Sequence, residues 1–255
     1  MSDDVSDIAA VINLAGENIA EGRWTHRKKD RILNSRVIAT KLLVDYLSAL
    51  DHKPRVIVSA SAVGIYGNRG EELVDETSEP GNGFLADVCK QWEGATAPAL
   101  DAGIRVANVR LGVVLSAAGG ALKKMLLPFR MGMGGVIGSG RQYMSWVSID
   151  DVVEIIQHVI ASDSLRGPIN VVSPNPVNNR DFTKALGCVL KRPTMFPIPA
   201  FAARLAFGEM ADELMLASTR AVPSKLTGSG YKFRHSELVV ALEHLLKRAD
   251  GVSTS

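Results

Sequence analysis

The sequence is poor in features that mark several common classes of protein. It has only two cysteines, Cys89 and Cys188, and 5% aromatic residues among 255. Basic and acidic residues nearly balance, at 29 and 27, and the longest basic block is the run 27–29. No apolar run reaches the roughly 18 residues of a membrane span. These shortages predict core cysteines in a reducing, cytoplasmic compartment and argue against nucleic-acid and membrane partners.

Several catalytic signatures are also missing. The five histidines form no HExxH motif and no Cys/His cluster, so no metal site is predicted. No G-x-S-x-G elbow and no Walker A sequence occurs. The glycine-dense stretch 132–140 breaks the third position of G-x-G-x-x-G and follows a predicted helix rather than a strand. We expect it to be a flexible flap or substrate loop, with a plain surface turn as the alternative.

The chain does contain regular alternation of apolar strands and amphipathic helices. With 46% hydrophobic residues it has enough apolar surface for a sizeable core. The pattern predicts strands at 8–14, 55–59, 105–111 and 167–172, and helices at 27–49, 84–100, 121–129, 148–161 and 178–190. This order predicts an α/β fold with a mostly parallel sheet, followed from residue 200 by short helices of a C-terminal lobe.

Ligands of such sheets bind at the carboxyl ends of the strands, where the loops after Leu14, Ser59 and Leu111 should converge. The stretch Ser59-Ala60-Ser61-Ala62 comes directly after a predicted strand, and Tyr66-Gly67 follows. Small hydroxyl residues there can donate hydrogen bonds to a ligand. An ordinary polar strand exit explains them equally well.

Several short segments carry a family resemblance, and they are Asn13-Leu14-Ala15-Gly16, Ser59-Ala60-Ser61-Ala62, Tyr66-Gly67, Arg141-Gln142-Tyr143, Trp146-Val147 and Asp150-Asp151. They resemble the extended short-chain dehydrogenase/reductases. Four further features are Ala15-Gly16-Glu17-Asn18-Ile19, Leu127-Pro128-Phe129-Arg130, Ile137-Gly138-Ser139-Gly140-Arg141-Gln142 and the C-terminal helical lobe. These are similar, more narrowly, to an atypical branch of sugar-nucleotide epimerases, and the resemblance covers about residues 7–247.

The resemblance implies a Rossmann-like NAD(P)-binding domain over residues 1–165, including a substrate-side loop at 116–148. A smaller, mainly helical substrate lobe covers 166–250, and residues 251–255 form a disordered tail. The chain begins where the family's fourth strand would be. We therefore expect a sheet truncated at its amino-terminal side, without the glycine-rich turn that binds the cofactor pyrophosphate.

A second departure concerns the catalytic base. The superfamily uses a Tyr four residues before a Lys, whose charge lowers the phenol pKa. None of the four tyrosines here has that Lys, and the helix starting at Phe84 has Phe84 or Leu85 where the Tyr belongs. The resemblance leaves Ser61 and Tyr66 as the candidate catalytic residues. Efficient hydride transfer by the usual route is not expected.

Binding residues follow from the same resemblance. The residues expected to bind the cofactor, NADP or NAD, are Leu14, Ala15, Gly16, Arg36, Ser59, Ala60, Arg110, Gly112 and Val113. Arg141 and Gln142 are expected to bind the substrate, where a guanidinium suits a diphosphate. Tyr143 and Trp146 are expected to be packing residues of the second lobe.

The sequence thus predicts an NAD(P)-dependent epimerase or oxidoreductase that acts on a sugar nucleotide or a similar small carbonyl or hydroxyl compound. Cofactor binding should be weakened or lost if the truncation is genuine. The alternatives are a non-catalytic nucleotide-binding or regulatory protein and an inactive truncated form. Oligomeric state is not indicated, although an exposed sheet edge would invite association.

Overall fold

The computed structural model describes residues 8–252, with side chains described for residues 8–247. Ten strands lie in this part of the chain. They are β1 (Ala10–Asn13), β2 (Val56–Ala62), β3 (Leu73–Val74), β4 (Arg105–Leu111), β5 (Val113–Leu115), β6 (Tyr143–Met144), β7 (Trp146–Ser148), β8 (Gly167–Val171), β9 (Val177–Asn178) and β10 (Arg220–Ala221).

Nine α-helices lie in the same part of the chain, together with a 3-10 turn at Val63–Tyr66 and a π-helical turn at Ala211–Leu216. They are α1 (His26–Ser48), α2 (Phe84–Gly94), α3 (Ala97–Asp101), α4 (Gly120–Arg130), α5 (Ile149–Ala161), α6 (Asn179–Leu190), α7 (Ala200–Phe207), α8 (Ser224–Gly228) and α9 (Leu238–Val252). Among the described residues, no helix combines the length and the apolar composition needed to cross a membrane.

The main sheet has four parallel strands in the order β1-β2-β4-β8. The inner strands β2 and β4 are buried on both faces because their side chains alternate between two layers of helices, whereas the edge strand β1 leaves Ile12 48% exposed. Ile57 packs with α1 and α3, whereas Val56 and Val58 pack with α5. This arrangement confirms the predicted α/β fold with a mostly parallel sheet.

Helix ends follow local capping rules. Ser148 caps α5 by accepting a hydrogen bond from the Asp151 backbone N–H, and two acidic residues occupy its first turn. Thr25 caps α1 in the same way through Lys28 N–H. Both predicted ends of α1 and the predicted start of α5 differ from the observed ones by one residue, and the end of α5 at Ala161 agrees.

Two predicted elements differ from the structure. The helix predicted over 84–100 is divided into α2 and α3, because Pro98 has no N–H to continue the ladder. The Thr96 hydroxyl instead bonds to the carbonyl of Glu93. Strand β2 continues to Ala62, three residues beyond the predicted end. Cys188 was expected in the core but is exposed, whereas Cys89 is buried.

The C-terminal part of the chain builds a second hydrophobic core around Trp146, between α4, α6 and α9. Trp146 is fully buried there, as a packing residue should be. Strand β8 completes the main sheet, although it lies beyond the domain boundary predicted at residue 165. Helix α9 extends to residue 252, so the predicted disordered tail starts within a helix, and residues 253–255 of it lie outside the described part.

Candidate active site

Polar side chains stand in one row across three neighbouring strands of the main sheet. Ser61 on β2 is in register with Arg110 on β4, and Arg110 is in register with Asn170 on β8. All three lie at the carboxyl ends of their strands and are at least nine-tenths buried. Parallel pairing therefore brings together two of the predicted site residues, Ser61 and Arg110.

These residues form a hydrogen-bonded cluster with Glu93 and Tyr66, which we call the strand-end network. Ser61 Oγ donates to Glu93 Oε1 at 2.7 Å. Arg110 donates two bonds to the Glu93 carboxylate, at 2.8 and 2.9 Å, and a third to Tyr66 Oη at 2.9 Å. Tyr66 Oη in turn donates to Asn170 Oδ1 at 2.7 Å. The bidentate pair holds Arg110 and Glu93 in one geometry.

Charge and burial shift the titration of two of these groups. Burial opposes the charge of Arg110, but the hydrogen bonds and the charge of Glu93 outweigh it, so the pKa of Arg110 is raised. Burial also raises the pKa of Tyr66, and the nearby Arg110 reverses only part of that shift. Tyr66 has no exposed surface. The Tyr66 hydroxyl is therefore enclosed, with its proton donated to Asn170 and its oxygen accepting from Arg110.

The helix face opposite Ser61 carries Leu85 and Cys89. Leu85 Cβ lies 3.4 Å from the point where a Cβ on Gly64 would stand. The Cys89 thiol contacts Ser61, and burial raises its pKa to about 11. Phe84 points elsewhere and stacks edge-on against Trp24 with ring centroids 5.2 Å apart. Leu85 and Cys89 therefore lie on the side of α2 that packs against the end of β2 and the turn after it, whereas Phe84 packs against Trp24.

The loop after β1 brings Gly16 and Arg36 together. A Cβ on Gly16 would lie 2.9 Å from Arg36 Cζ, so the guanidinium would have to shift to admit a side chain there. Arg36 donates to the carbonyls of Ile32 and Glu17, and its guanidinium lies 5.0 Å from the ring centroid of Trp92. Burial lowers the pKa of Arg36. Leu14 and Ala15, which precede Gly16 and are also predicted to bind the cofactor, are exposed.

The remaining predicted cofactor residues lie deeper. Ser59 and Ala60 are buried in β2, and Ser59 Oγ has no hydrogen-bond partner among the described residues. Gly112 packs so closely on the Ser145 carbonyl that a Cβ would lie 2.4 Å from that oxygen. Val113 N–H donates to the same carbonyl at 2.7 Å. These two residues connect the carboxyl end of β4 to Ser145, the residue before β7.

The structure does not bring Arg141 and Gln142 to the strand-end network. Arg141 is exposed, and no hydrogen bond of the described residues connects it to the network. Gln142 is buried, and its Nε2 donates to the carbonyls of Ile137 and Met215 at 2.9 and 3.0 Å. Gln142 thus ties the glycine-dense stretch to the π-helical turn. That stretch is further held by a 2.9 Å bond from Gly138 N–H to the carbonyl of Ile198.

An open cleft of about 280 Å³ lies between the start of α2 and the C-terminal region. Its lining residues come from both parts of the chain, and they are Gly64, Gly67, Asn68, Asn82, Leu85, Arg204, Asp212, Glu213, Leu216, Ala217 and Thr219. The Glu213 carboxylate accepts hydrogen bonds from the backbone N–H groups of Phe84 and Leu85, both at 3.3 Å. A carboxylate from the C-terminal region therefore caps the helix that carries Glu93.

Sequence reasoning missed Glu93, Glu213 and Arg204. A signal for Glu93 was present, since it follows Cys89 by four residues and Leu85 by eight and so lies on the same face of α2. No comparable signal existed for Glu213 or Arg204. Their place in the cleft depends on the packing of the C-terminal region against α2.

Comparisons with known proteins agree with this architecture. Residues 2–172 match the model of the NAD dependent epimerase/dehydratase family, and residues 198–245 match a domain of unknown function, DUF1731. An epimerase family protein of Mycobacterium bovis is 45% identical over 244 residues, which are 96% of this chain and 80% of that protein.

The chain belongs to the NAD-dependent epimerase/dehydratase family.

Two solved structures extend the comparison. The human epimerase family protein SDR39U1, in a crystal structure with NADPH, is 32% identical with a TM-score of 0.90, over 94% of this chain and 82% of that one. A nucleoside-diphosphate sugar epimerase from Corynebacterium glutamicum is 38% identical with a TM-score of 0.76, over 96% of this chain and 48% of that one. The family resemblance inferred from short motifs is thereby confirmed.

Proposed function

We propose that this protein binds NADPH at the carboxyl ends of β1, β2 and β4 and acts on the hydroxyl or carbonyl group of a nucleotide sugar. The observation that carries the proposal is the row of Ser61, Arg110 and Asn170 across three strand ends, in a fold similar to that of an NADPH-bound relative. We also propose two lobes, with the boundary after β8.

The residues present fit the nicotinamide half of such a cofactor. Ser59 contributes a buried hydroxyl without a partner among the described residues, which a carboxamide or ribose hydroxyl would satisfy. Leu14, Ala15 and Gly16 offer an exposed strand end beside it. No G-x-G-x-x-G turn occurs in residues 8–252, so the proposal assigns no pyrophosphate cradle there. When bound, the cofactor supplies or accepts a hydride.

Within this site, Ser61 is the residue best placed to contact the reacting group. Its proton is donated to Glu93, so the Ser61 lone pairs are available to accept a hydrogen bond from a substrate hydroxyl. If the reacting group of the substrate is a carbonyl, which only accepts hydrogen bonds, the Ser61 hydroxyl has to turn away from Glu93 to donate to it. The Glu93 carboxylate then keeps its two bonds from Arg110.

Ala60, Gly112 and Val113 are proposed to shape the nicotinamide side through backbone and apolar contact. Arg36 is proposed to border the cofactor beside Gly16. Its Nη1 and Nη2 atoms already donate hydrogen bonds to the carbonyls of Ile32 and Glu17. Arg110 acts on the site by holding Glu93. Arg141 is exposed and free to meet a diphosphate, whereas Gln142 contributes by ordering the loop next to the cleft.

Binding without turnover is the second candidate, and it too has an observation in its favour. Leu85 and Cys89 offer no phenol and no ammonium at the positions where the superfamily places its base and its activating cation. The raised pKa of Cys89 keeps the thiol protonated at neutral pH, so it does not replace the missing base.

A titration with NADPH and NADH, followed by turnover assays over a panel of nucleotide sugars, tests both candidates. We expect NADPH to bind and Ser61→Ala to lower cofactor-dependent turnover by about 10²-fold or more. Ser48→Ala is the matched control, because Ser48 carries a similarly buried hydroxyl at the far end of α1. Turnover unchanged in Ser61→Ala would refute the role of Ser61. NADPH binding with no turnover on any substrate would favour the binding protein.

A further inference from the structure

Three potential metal ligands converge where α9 packs against the beginning of α5. Asp150 lies in the first turn of α5, His244 lies on α9, and His235 precedes α9. One ligand atom from each residue lies within 4.8 Å of the other two. His244 Nε2 is 3.0 Å from Asp150 Oδ2, and His235 Nε2 is 3.9 Å from the same oxygen.

His235 is the unusual member of this cluster. Its side chain is 7% exposed, and neither ring nitrogen has a hydrogen-bond partner among the described residues. A neutral imidazole carries one N–H and one lone pair, and both need partners when they are buried. Asp150 Oδ2, at 3.9 Å from His235 Nε2, lies beyond hydrogen-bond distance. A bound cation between the ring and the carboxylate would satisfy the lone pair.

The surroundings hold these ligands in place. The buried Asp151 carboxylate accepts hydrogen bonds from the backbone N–H groups of Arg234 at 2.7 Å and His235 at 3.1 Å. Ser148 donates to the same carboxylate at 2.6 Å. The two imidazole rings lie with centroids 4.7 Å apart and planes tilted by 36°. These bonds fix the backbone at His235 beside the first turn of α5.

We propose that Asp150, His235 and His244 bind a divalent transition-metal ion of the zinc class, which fastens α9 to the start of α5. Two imidazole nitrogens and one carboxylate oxygen form a ligand set typical of zinc. Zinc–ligand distances of about 2.0–2.2 Å require tetrahedral neighbours to lie somewhat over 3 Å apart, and small side-chain movements close the observed separations to that value. Water would complete the coordination.

The three ligands form no recognisable metal-binding motif, because two of the three spacings between them are long. Asp150 is separated from the two histidines by some 85 to 94 positions in sequence, and the histidines are nine apart. None of the three belongs to the strand-end network or to the residues lining the cleft. The proposal is therefore independent of the proposed function, and its test needs neither cofactor nor substrate.

Calorimetric titration of the tag-free, EDTA-treated full chain with zinc chloride tests the proposal. We expect one zinc ion per chain, with affinity lowered at least about tenfold in both His244→Gln and Asp150→Asn. His52→Gln is the matched control, because His52 is exposed between α1 and β2. The affinity of this variant for zinc should equal that of the wild type. Circular dichroism checks that each variant is folded.

Thermal unfolding gives a second readout, since a ligand bound only to the folded state raises the unfolding temperature. Zinc should raise it in the wild type and in His52→Gln, and the shift should be lost in Asp150→Asn. The proposal is overturned if no stoichiometric binding occurs at submillimolar zinc. It is equally overturned if His52→Gln weakens binding as much as His244→Gln does, which would indicate adventitious surface histidines.

Discussion

The two ends of helix α2 enter environments that differ in almost every physical respect. At its C-terminal end Glu93 belongs to the strand-end network, where buried donors and acceptors form hydrogen bonds with one another. At its N-terminal end Leu85 lines an open cleft, whose Arg204 and Asp212 side chains form an ion pair about half exposed to solvent. The network therefore contributes rigidity to the fold. The cleft retains polar groups that can exchange water for a ligand.

Substitutions in the strand-end network should therefore change stability more than substitutions at the cleft. Breaking a satisfied, buried cluster leaves an uncompensated charge, which strongly destabilises the folded state. Removing an exposed charge beside a cleft changes the stability little, because water replaces the lost partner.

Replacing Arg110 by Met should have the largest effect. The Glu93 carboxylate, only 14% exposed, would lose both of its guanidinium bonds. We expect the free energy of unfolding in urea to fall by about 3–5 kcal/mol. Arg204→Met is the matched control in the cleft and should cost about 0–1 kcal/mol. Equal losses in the two variants would abolish the distinction between the regions.

The two cysteines should differ strongly in reactivity. Cys89 lies against Ser61 and its pKa is raised from 9.0 to about 11, whereas Cys188 is exposed. A shift of that size lowers the thiolate fraction at neutral pH by about 100-fold. A disulfide reagent should therefore titrate one thiol in the native protein and two after unfolding. Rapid reaction of both native thiols would contradict the burial of Cys89.

The same shift predicts a pH dependence of stability. The folded state favours the protonated Cys89 thiol, so the contribution of this group is fully present below pH 9 and declines as the pH rises towards about 11. Chemical unfolding between pH 8 and 11 should show a steeper loss in the wild type than in Cys89→Ala. Parallel curves would show that other groups account for the alkaline loss.

Tyr66→Phe separates a positioning role from a catalytic one. Removal of the hydroxyl leaves Asn170 Oδ1 and one Arg110 N–H without a partner, so we expect a loss of about 1–3 kcal/mol in unfolding free energy. NADPH affinity should stay close to that of the wild type. If instead stability is unchanged and turnover disappears, Tyr66 acts in catalysis and the sequence-based role is correct.

Glu213→Gln should have the smallest effect on stability. It removes a charge from the start of α2 and leaves one oxygen acceptor where Phe84 N–H now donates to Oε1 and Leu85 N–H to Oε2, so one of these two long bonds is kept. We expect a loss of about 0.3–1 kcal/mol at low salt, decreasing as salt is added. The affinity for an anionic substrate should increase, because the cleft becomes less negative. A loss as large as that of Arg110→Met would place Glu213 with the network.

Much of the fold could be predicted because it depends on short-range patterns. The strand 105–111 was predicted with its observed ends, and Ser148 was identified as the cap of α5. The short motifs identified the family, and Ser61 was placed at a strand end from its neighbours alone. Apolar alternation and capping chemistry are local, so one sequence is enough to detect them.

The candidate site was less predictable, since it depends on contacts between distant segments. Arg110 was expected to border the cofactor, but it donates all of its observed hydrogen bonds inward, to Glu93 and Tyr66. Gln142 was expected to meet substrate, but it holds two backbone carbonyls. The sequence does not indicate which group a polar side chain will hydrogen-bond to, because that depends on how the helices and strands pack.

By itself, then, the sequence determined that this is an α/β member of its family whose helix α2 has no Tyr four residues before a Lys, because hydrophobic period, caps and motif residues are properties of neighbouring positions. Only the tertiary structure decided that Cys89 contacts Ser61 and Leu85 lies against Gly64, that Tyr66 is buried inside the strand-end network, and that Asp150, His235 and His244 converge. The physical reason is burial. It determines whether a hydroxyl, a carboxylate or an imidazole is satisfied within the chain or left available to a ligand.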